Sequence, residues 1–250
     1  MPSINAEVCY EGHMQCSWQN TQRYMFWTTL LSGAAGYTYG AGGIWQMNTR
    51  LQPHGPSPQG TTYENTPWDE AAQLPGATQL GLARRLLTTY AWTSLQPMPE
   101  VVEPHWQSDN HFLPFAAGIP GQLYIVYIPR PLLWQGPLLK SLVPGAVYQA
   151  FYFNPITGDR ILLDRPVVEG DGSWQAPRLP LAQDWVLVVE HLSAVQSPEA
   201  VESSWGQLFH IKQGDLSWPS VLSLRRLLPR PILTLSRRSR SVWCLQTRQD

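Results

Sequence analysis

The chain has 250 residues, 43% hydrophobic and 14% charged, with twelve Trp and a formal net charge of −1. That is a soluble globular composition with room for one large domain or two ordinary ones. Three cysteines exclude a disulfide framework, and the longest apolar runs, such as residues 123–128, fall far short of the ~18 residues of a membrane helix. No basic-then-apolar start resembles a signal peptide, so the compartment stays open and no membrane partner is expected. The near-neutral total hides an asymmetry: residues 225–250 carry +6 and residues 1–224 carry −7. With Pro229, Pro231 and several Ser among its arginines, the basic end lacks amphipathic order, and residues 196–250 read as a poorly structured Arg-rich tail rather than a nucleic-acid-binding arm.

In chain order, residues 4–12 read Ile-Asn-Ala-Glu-Val-Cys-Tyr-Glu-Gly, an apolar strand start that delivers one carboxylate, Glu7, to a strand end and a second, Glu11, just after it. Residues 21–32 place Tyr24, Trp27 and Leu31 on one helical stripe, with Phe26 and Leu30 beside it. Gly-Ala-Ala-Gly at 33–36 closes that helix, and residues 37–39 read as a short strand opening into a glycine-rich loop at 40–43 and Ile-Trp-Gln-Met at 44–47. Residues 53–67 are Pro-, Gly- and Thr-rich and read as a surface loop. Residues 68–74 form a short helical piece, and residues 77–92 a helix with Leu80, Ala83 and Leu87 on one face. This makes two βα units within residues 1–95.

From about residue 96 the pattern changes to short β-rich runs separated by turns, at 112–116, 123–128, 147–153, 160–163 and 185–190. Short strands in series predict an antiparallel β-sandwich over residues 96–195. Asn-Pro-Ile-Thr-Gly at 154–158 and Glu-Gly-Asp-Gly-Ser at 169–173 supply the turns, with Gly available for positive φ and Pro presetting a bend.

The ordered set formed by residues 4–12, Gly-Ala-Ala-Gly-Tyr-Thr-Tyr-Gly at 33–40, Ile-Trp-Gln at 44–46, Pro-Gly-Ala-Thr-Gln-Leu-Gly at 75–81 and Arg-Arg-Leu at 84–86 resembles the apiosidase-like glycoside hydrolases, family 140-type enzymes. The resemblance covers roughly residues 3–191. It implies an α/β plus β architecture: the last two βα units of a (β/α)₈ barrel followed by a small β-sandwich of the type sometimes called collagen-binding. A full barrel takes about 250 residues, so the resemblance places most of it before Met1, together with the general acid. The implied substrate is a plant cell-wall glycan, with the missing barrel segment as partner and no cofactor.

Carried onto this sequence, the segment around Glu7 resembles the strand that holds the nucleophile of retaining enzymes. Glu7 or Glu11 is then the catalytic carboxylate, and strand-end geometry favours Glu7. Tyr10 would orient it, and Tyr39, Trp45 and Gln46 would line a sugar subsite with His13 at its rim. Near Gly42 the sequence departs from the family pattern, where relatives often carry His or another polar residue. Retaining hydrolysis needs two carboxyl groups about 5–5.5 Å apart, and this segment supplies one side, so the chain alone is expected to be inactive. The non-enzymatic alternative is a β-sandwich binding module carrying a vestigial partial barrel.

Other chemistries find less support. Cys9, His13 and Cys16 have zinc-like spacing but lack a fourth ligand, so no metal is expected and Cys9 reads as a small packed hydrophobe. Residues 40–43 lack the spacing and the Lys of a phosphate-binding loop, and no Gly-x-Ser-x-Gly elbow exists. Among the tryptophans, Trp27, Trp92 and Trp185 read as core, and Trp18, Trp45 and Trp106 as surface.

Overall fold

The computed structural model describes residues 2–13, 17–44, 46–53, 65–129 and 135–192. The expected Arg-rich tail, most of the predicted loop at 53–67, and Trp45 and Cys16 lie outside the described residues. Contacts divide the chain into units 1–195 and 196–250, and every described residue belongs to the first.

The chain begins with β1 (Ile4–Asn5), α1 (Gln19–Leu31) and β2 (Gly36–Tyr37). β1 and β2 pair in parallel with Ile4 opposite Gly36, so α1 is the crossover of a βαβ unit. α2 (Trp68–Ala71) and α3 (Pro75–Leu87) follow. Pro75 opens α3 at its first position, where a missing N–H costs nothing. The predicted extension of this helix to residue 92 ends early, because residues 88–91 turn and residues 92–94 form a 3₁₀ turn.

The remaining strands are β3 (Gln96–Pro97), β4 (Val102–Glu103), β5 (Phe115–Ile119), β6 (Leu123–Ile128), β7 (Leu138–Leu139), β8 (Tyr148–Phe153), β9 (Arg160–Leu162), β10 (Trp174–Gln175) and β11 (Trp185–His191). A six-stranded antiparallel sheet runs β3-β5-β6-β11-β8-β9, and a three-stranded antiparallel sheet runs β10-β7-β4. The predicted strand at 123–128 coincides with β6. The strand expected at 112–116 is shifted to Phe115–Ile119, because Phe112 and its neighbours belong to a turn.

The inner strands of the large sheet, β5, β6, β8 and β11, are buried on both faces, so they read as continuous apolar runs rather than alternating ones. In β6, Tyr124, Val126 and Ile128 pack with Val102, Leu139 and Trp174 of the small sheet. Ile125 and Tyr127 point the opposite way and pack with Phe26, Trp27 and Leu31 of α1 and with Leu80, Ala83 and Leu86 of α3. The result is three layers: small sheet, large sheet, helices. The helices from the first ninety residues are therefore part of the core built by the strands of residues 96–191.

Both predicted turns form. Gly158 N–H donates to Asn154 O at 2.8 Å while Asn154 Oδ1 accepts from Ile156 N–H at 2.9 Å. Gly172 holds φ at 80° and its N–H donates to Glu169 O at 2.9 Å.

Candidate active site

Glu7 lies two residues beyond the end of β1, in a bend rather than at the strand end expected from the sequence. The reason is a local mismatch between the paired segments. Thr38 N–H donates to Asn5 O at 3.0 Å, and the next rung is Glu11 N–H to Gly40 O at 2.9 Å. Between those rungs one segment advances six positions and the other two, so residues 6–10 bulge out of the ladder. The bulge is pinned at its base by Thr38, whose hydroxyl donates to Ala6 O at 2.9 Å. From α1, the Gln22 side-chain amide donates to Cys9 O, while Gln22 Oε1 accepts from the Tyr37 hydroxyl at 3.3 Å.

This bulge gives the two carboxylates different surroundings. Glu7 is exposed, and the Tyr10 hydroxyl donates to its Oε1 at 2.9 Å. Glu11, after the chain has rejoined the ladder as a parallel bridge to Ala41, has 0% exposure. Its Oε2 accepts from the Tyr39 hydroxyl at 2.7 Å and its Oε1 from Gly76 N–H at 3.0 Å. Gly76 is the second residue of α3, whose own Leu74 cap offers no side-chain acceptor. Glu11 thus meets an orphan N–H at the positive end of the helix, satisfying both the donor and its own buried charge.

Two glycines make these approaches possible. A Cβ at Gly76 would fall on Glu11 Oε2, and a Cβ at Gly40 would fall on the Tyr10 ring. Burial first, and then the hydrogen bond to Glu11, hold the Tyr39 hydroxyl well above the usual tyrosine range. Tyr37 is raised as well, mainly by burial.

Of the other expected site residues, Gln46 uses Oε1 to accept from Gly43 N–H at 2.8 Å and turns its Nε2, which has no partner among the described residues, inward. His13 is half-buried one residue after Gly12, and its backbone N–H donates to Tyr10 O at 3.1 Å. Tyr39 is half-buried, with its hydroxyl donating to Glu11 Oε2. Cys9 is exposed and unpaired, not packed as expected, because it rides on the bulge. Among the described residues no cluster of three or more His, Cys, Asp or Glu could hold a metal ion. The sequence reading missed Gln22, Thr38, Gly40 and Gly76. The available signal was Gln22, an amide one helical turn before core Phe26.

Trp27 and Trp185 are core, as expected, at 0% and 1% exposure. Trp92 is half-buried against the helical side of the large sheet. Trp18 is exposed, and Trp106 is half-buried. Among the described residues no helix is long and apolar enough to cross a membrane.

Comparison with known proteins bears on this geometry. Residues 1–94 match the family model described as "Apiosidase-like, catalytic domain". No curated protein matches the sequence. A solved structure titled "Glycoside hydrolase" is similar with a TM-score of 0.60 and 20% identity, over 77% of this chain and 43% of that one. A glycoside hydrolase family 5 structure from Bacteroides vulgatus ATCC 8482 is similar with a TM-score of 0.61 and 18% identity, over 80% of this chain and 45% of that one. The chain spans less than half the length of these structures. At such identity the likeness is one of fold, and its coverage carries it past residue 94 into the sheet layers.

Proposed function

We propose that this chain carries the nucleophile side of a retaining, apiosidase-like glycoside hydrolase acting on plant cell-wall glycans. The observation that carries the reading is the unequal treatment of two nearby carboxylates: Glu11 is buried and fully engaged, while Glu7 is lifted into solvent with a tyrosine on one oxygen. A nucleophile must reach substrate, and the exposure of Glu7 favours it over the buried Glu11. The match of residues 1–94 to an apiosidase-like catalytic model supports the reaction class.

In this reading the Glu7 carboxylate attacks the anomeric carbon and forms a glycosyl ester as the glycosidic C–O bond breaks. A general acid protonates the leaving oxygen, and water then cleaves the ester. Tyr10 fixes the attacking carboxylate, and Gln46 and His13 belong to the surrounding loops. We assign no general acid to this chain and read it as supplied by the part of the fold that this chain does not cover, since the likeness spans 43% and 45% of the structures of similar fold. By the same reading, residues 1–95 form the last two βα units of a (β/α)₈ barrel and residues 96–195 its collagen-binding-type sandwich.

The test is hydrolysis of a panel of cell-wall oligosaccharides by this chain and by the longest reading frame that contains it, each beside Glu7→Gln. Activity in the longer form that falls by on the order of 10⁴-fold in Glu7→Gln supports the proposal. Activity that survives Glu7→Gln refutes the assignment of Glu7. No activity in either form shifts the reading to a non-enzymatic binding module.

A further inference from the structure

We infer that a groove between α1 and the segment leading into β5 is a second carbohydrate-binding site, selective for neutral oligosaccharides. It has a volume of about 340 Å³, within the range of small-ligand sites, and is largely open to solvent. One wall is Tyr24 and Thr28 of α1 and Ser32 at its C-cap, spaced four residues apart, with Thr29 beside them. The other wall is Trp106, His111 and Phe115.

None of the lining residues is Lys, Arg, Asp or Glu, so the groove lacks the guanidinium and ammonium groups that hold a phosphate or a carboxylate tightly. What it offers is hydroxyls opposite aromatic rings, the combination that suits a ligand with C–H faces and equatorial hydroxyls. The Trp106 ring lies nearly parallel to Phe115, at 9° and 5.6 Å, and to His111, at 21° and 6.2 Å. Phe112, half exposed, extends the aromatic surface 5.8 Å from Tyr24. Thr28 Oγ1 donates to Tyr24 O at 2.8 Å and Thr29 Oγ1 accepts from the Asn5 amide at 3.2 Å, leaving each oxygen with further hydrogen-bonding capacity.

The walls are preorganised, which lowers the cost of binding. The Tyr24 hydroxyl donates to His111 O at 2.9 Å, tying the loop to the helix. Trp106 N–H donates to Pro114 O at 3.0 Å, and Gln107 and Asn110 exchange hydrogen bonds at 3.1 and 3.0 Å, closing the loop on itself.

The test is a titration of the intact 250-residue chain carrying Glu7→Gln, followed by tryptophan fluorescence and by backbone amide NMR. The probes are neutral arabinan, galactan and β-glucan oligosaccharides, with a galacturonic acid oligomer and inorganic phosphate as charged controls. A neutral oligosaccharide is expected to saturate and to shift the amides of Thr28, Thr29, Ser32 and His111. Two variants at exposed positions, His111→Ala and Ser32→Trp, should each weaken it by about 3- to 10-fold, a stacking contact or a filled groove, with melting temperature unchanged. Failure of every neutral probe, equal binding of the charged controls, or affinity retained in both variants would overturn the inference. Saturable binding here without hydrolysis by the longer form would remove the preceding proposal and leave this one standing.

Discussion

Arg23 of α1 and Asp184, the residue before β11, form a buried bidentate ion pair, with Nε and Nη2 each 2.8 Å from a carboxylate oxygen. The pair is completed from two other elements: Arg23 Nη1 donates to Gln79 Oε1 of α3 at 2.6 Å, and the Tyr127 hydroxyl of β6 donates to Asp184 Oδ2 at 3.2 Å. Four segments, two from each half of the first unit, meet at one carboxylate and one guanidinium.

Because both side chains are under one-tenth exposed, removing either leaves a buried charge without its partner. Arg23→Met and Asp184→Ala should each destabilise folding by about 3–5 kcal/mol. The double variant Arg23→Met/Asp184→Ala should cost clearly less than the two singles together, since no charge is then stranded. Denaturant titration of the four proteins of this cycle measures the coupling, and simple additivity would show that the pair holds nothing together.

Glu11 and Gly76 give a prediction whose sign opposes helix propensity. Alanine is favoured over glycine in a helix by about 1 kcal/mol, yet a Cβ at Gly76 would strike Glu11 Oε2 and lie 2.8 Å from Glu11 Cδ. Gly76→Ala should therefore destabilise, by about 1–3 kcal/mol. Glu11→Ala should cost about 2 kcal/mol, because it strips a cap from α3 and a partner from the Tyr39 hydroxyl. Thermal unfolding reads both, and a rise in melting temperature for Gly76→Ala would mean that the carboxylate does not occupy this position.

The raised tyrosines set the alkaline limit of stability. An unfolded tyrosine ionises near 10.0, whereas folded Tyr39, held by burial and by its bond to Glu11, and folded Tyr37, held mainly by burial, ionise well above that. The folded state therefore binds more protons than the unfolded one above pH 10. The stability these groups contribute is complete below that value and is lost as pH rises toward the folded values. Denaturant midpoints measured from pH 8 to 11.5 should fall beyond pH 10. Tyr39→Phe should lower stability at pH 8 but flatten the alkaline decline; an unchanged slope would separate Tyr39 from that decline.

Long periodic elements were legible in the sequence because their signal repeats: α1, α3, β6, β8 and β11 all follow from apolar spacing. β3, β4, β7 and β10 were not, since each spans two residues and two residues carry no period. The buried face of α1 was only half legible. Tyr24 reads as core by spacing, but Gln22 and Arg23 are buried instead of exposed, for they serve partners 13 and 161 positions away. The same limit applies at the site. Motif order brought Glu7, Tyr10 and Glu11 together, but which carboxylate is exposed depends on the bulge at residues 6–10 and on Gly76, 65 positions from Glu11.

Under the proposal that Glu7 is the nucleophile, its bond to Tyr10 predicts how a glycine 30 positions away affects catalysis. Tyr10→Phe removes the only change-making atom, the hydroxyl that donates to Glu7 Oε1 at 2.9 Å. A lost hydrogen bond to a charged group is worth about 1.5–3 kcal/mol, so kcat in the longest reading frame containing the chain should fall by roughly 10- to 100-fold, with KM little altered and no loss of melting temperature. Gly40→Ala leaves the hydroxyl in place but puts a methyl where the Tyr10 ring lies, 2.5 Å from its Cε1. It should reproduce the kcat defect by turning the ring away. The double variant should then be no slower than either single one, because both remove the same contact. Independent, multiplying defects would instead assign Gly40 a role of its own, and a defect confined to KM would move Tyr10 from positioning the carboxylate to binding the sugar.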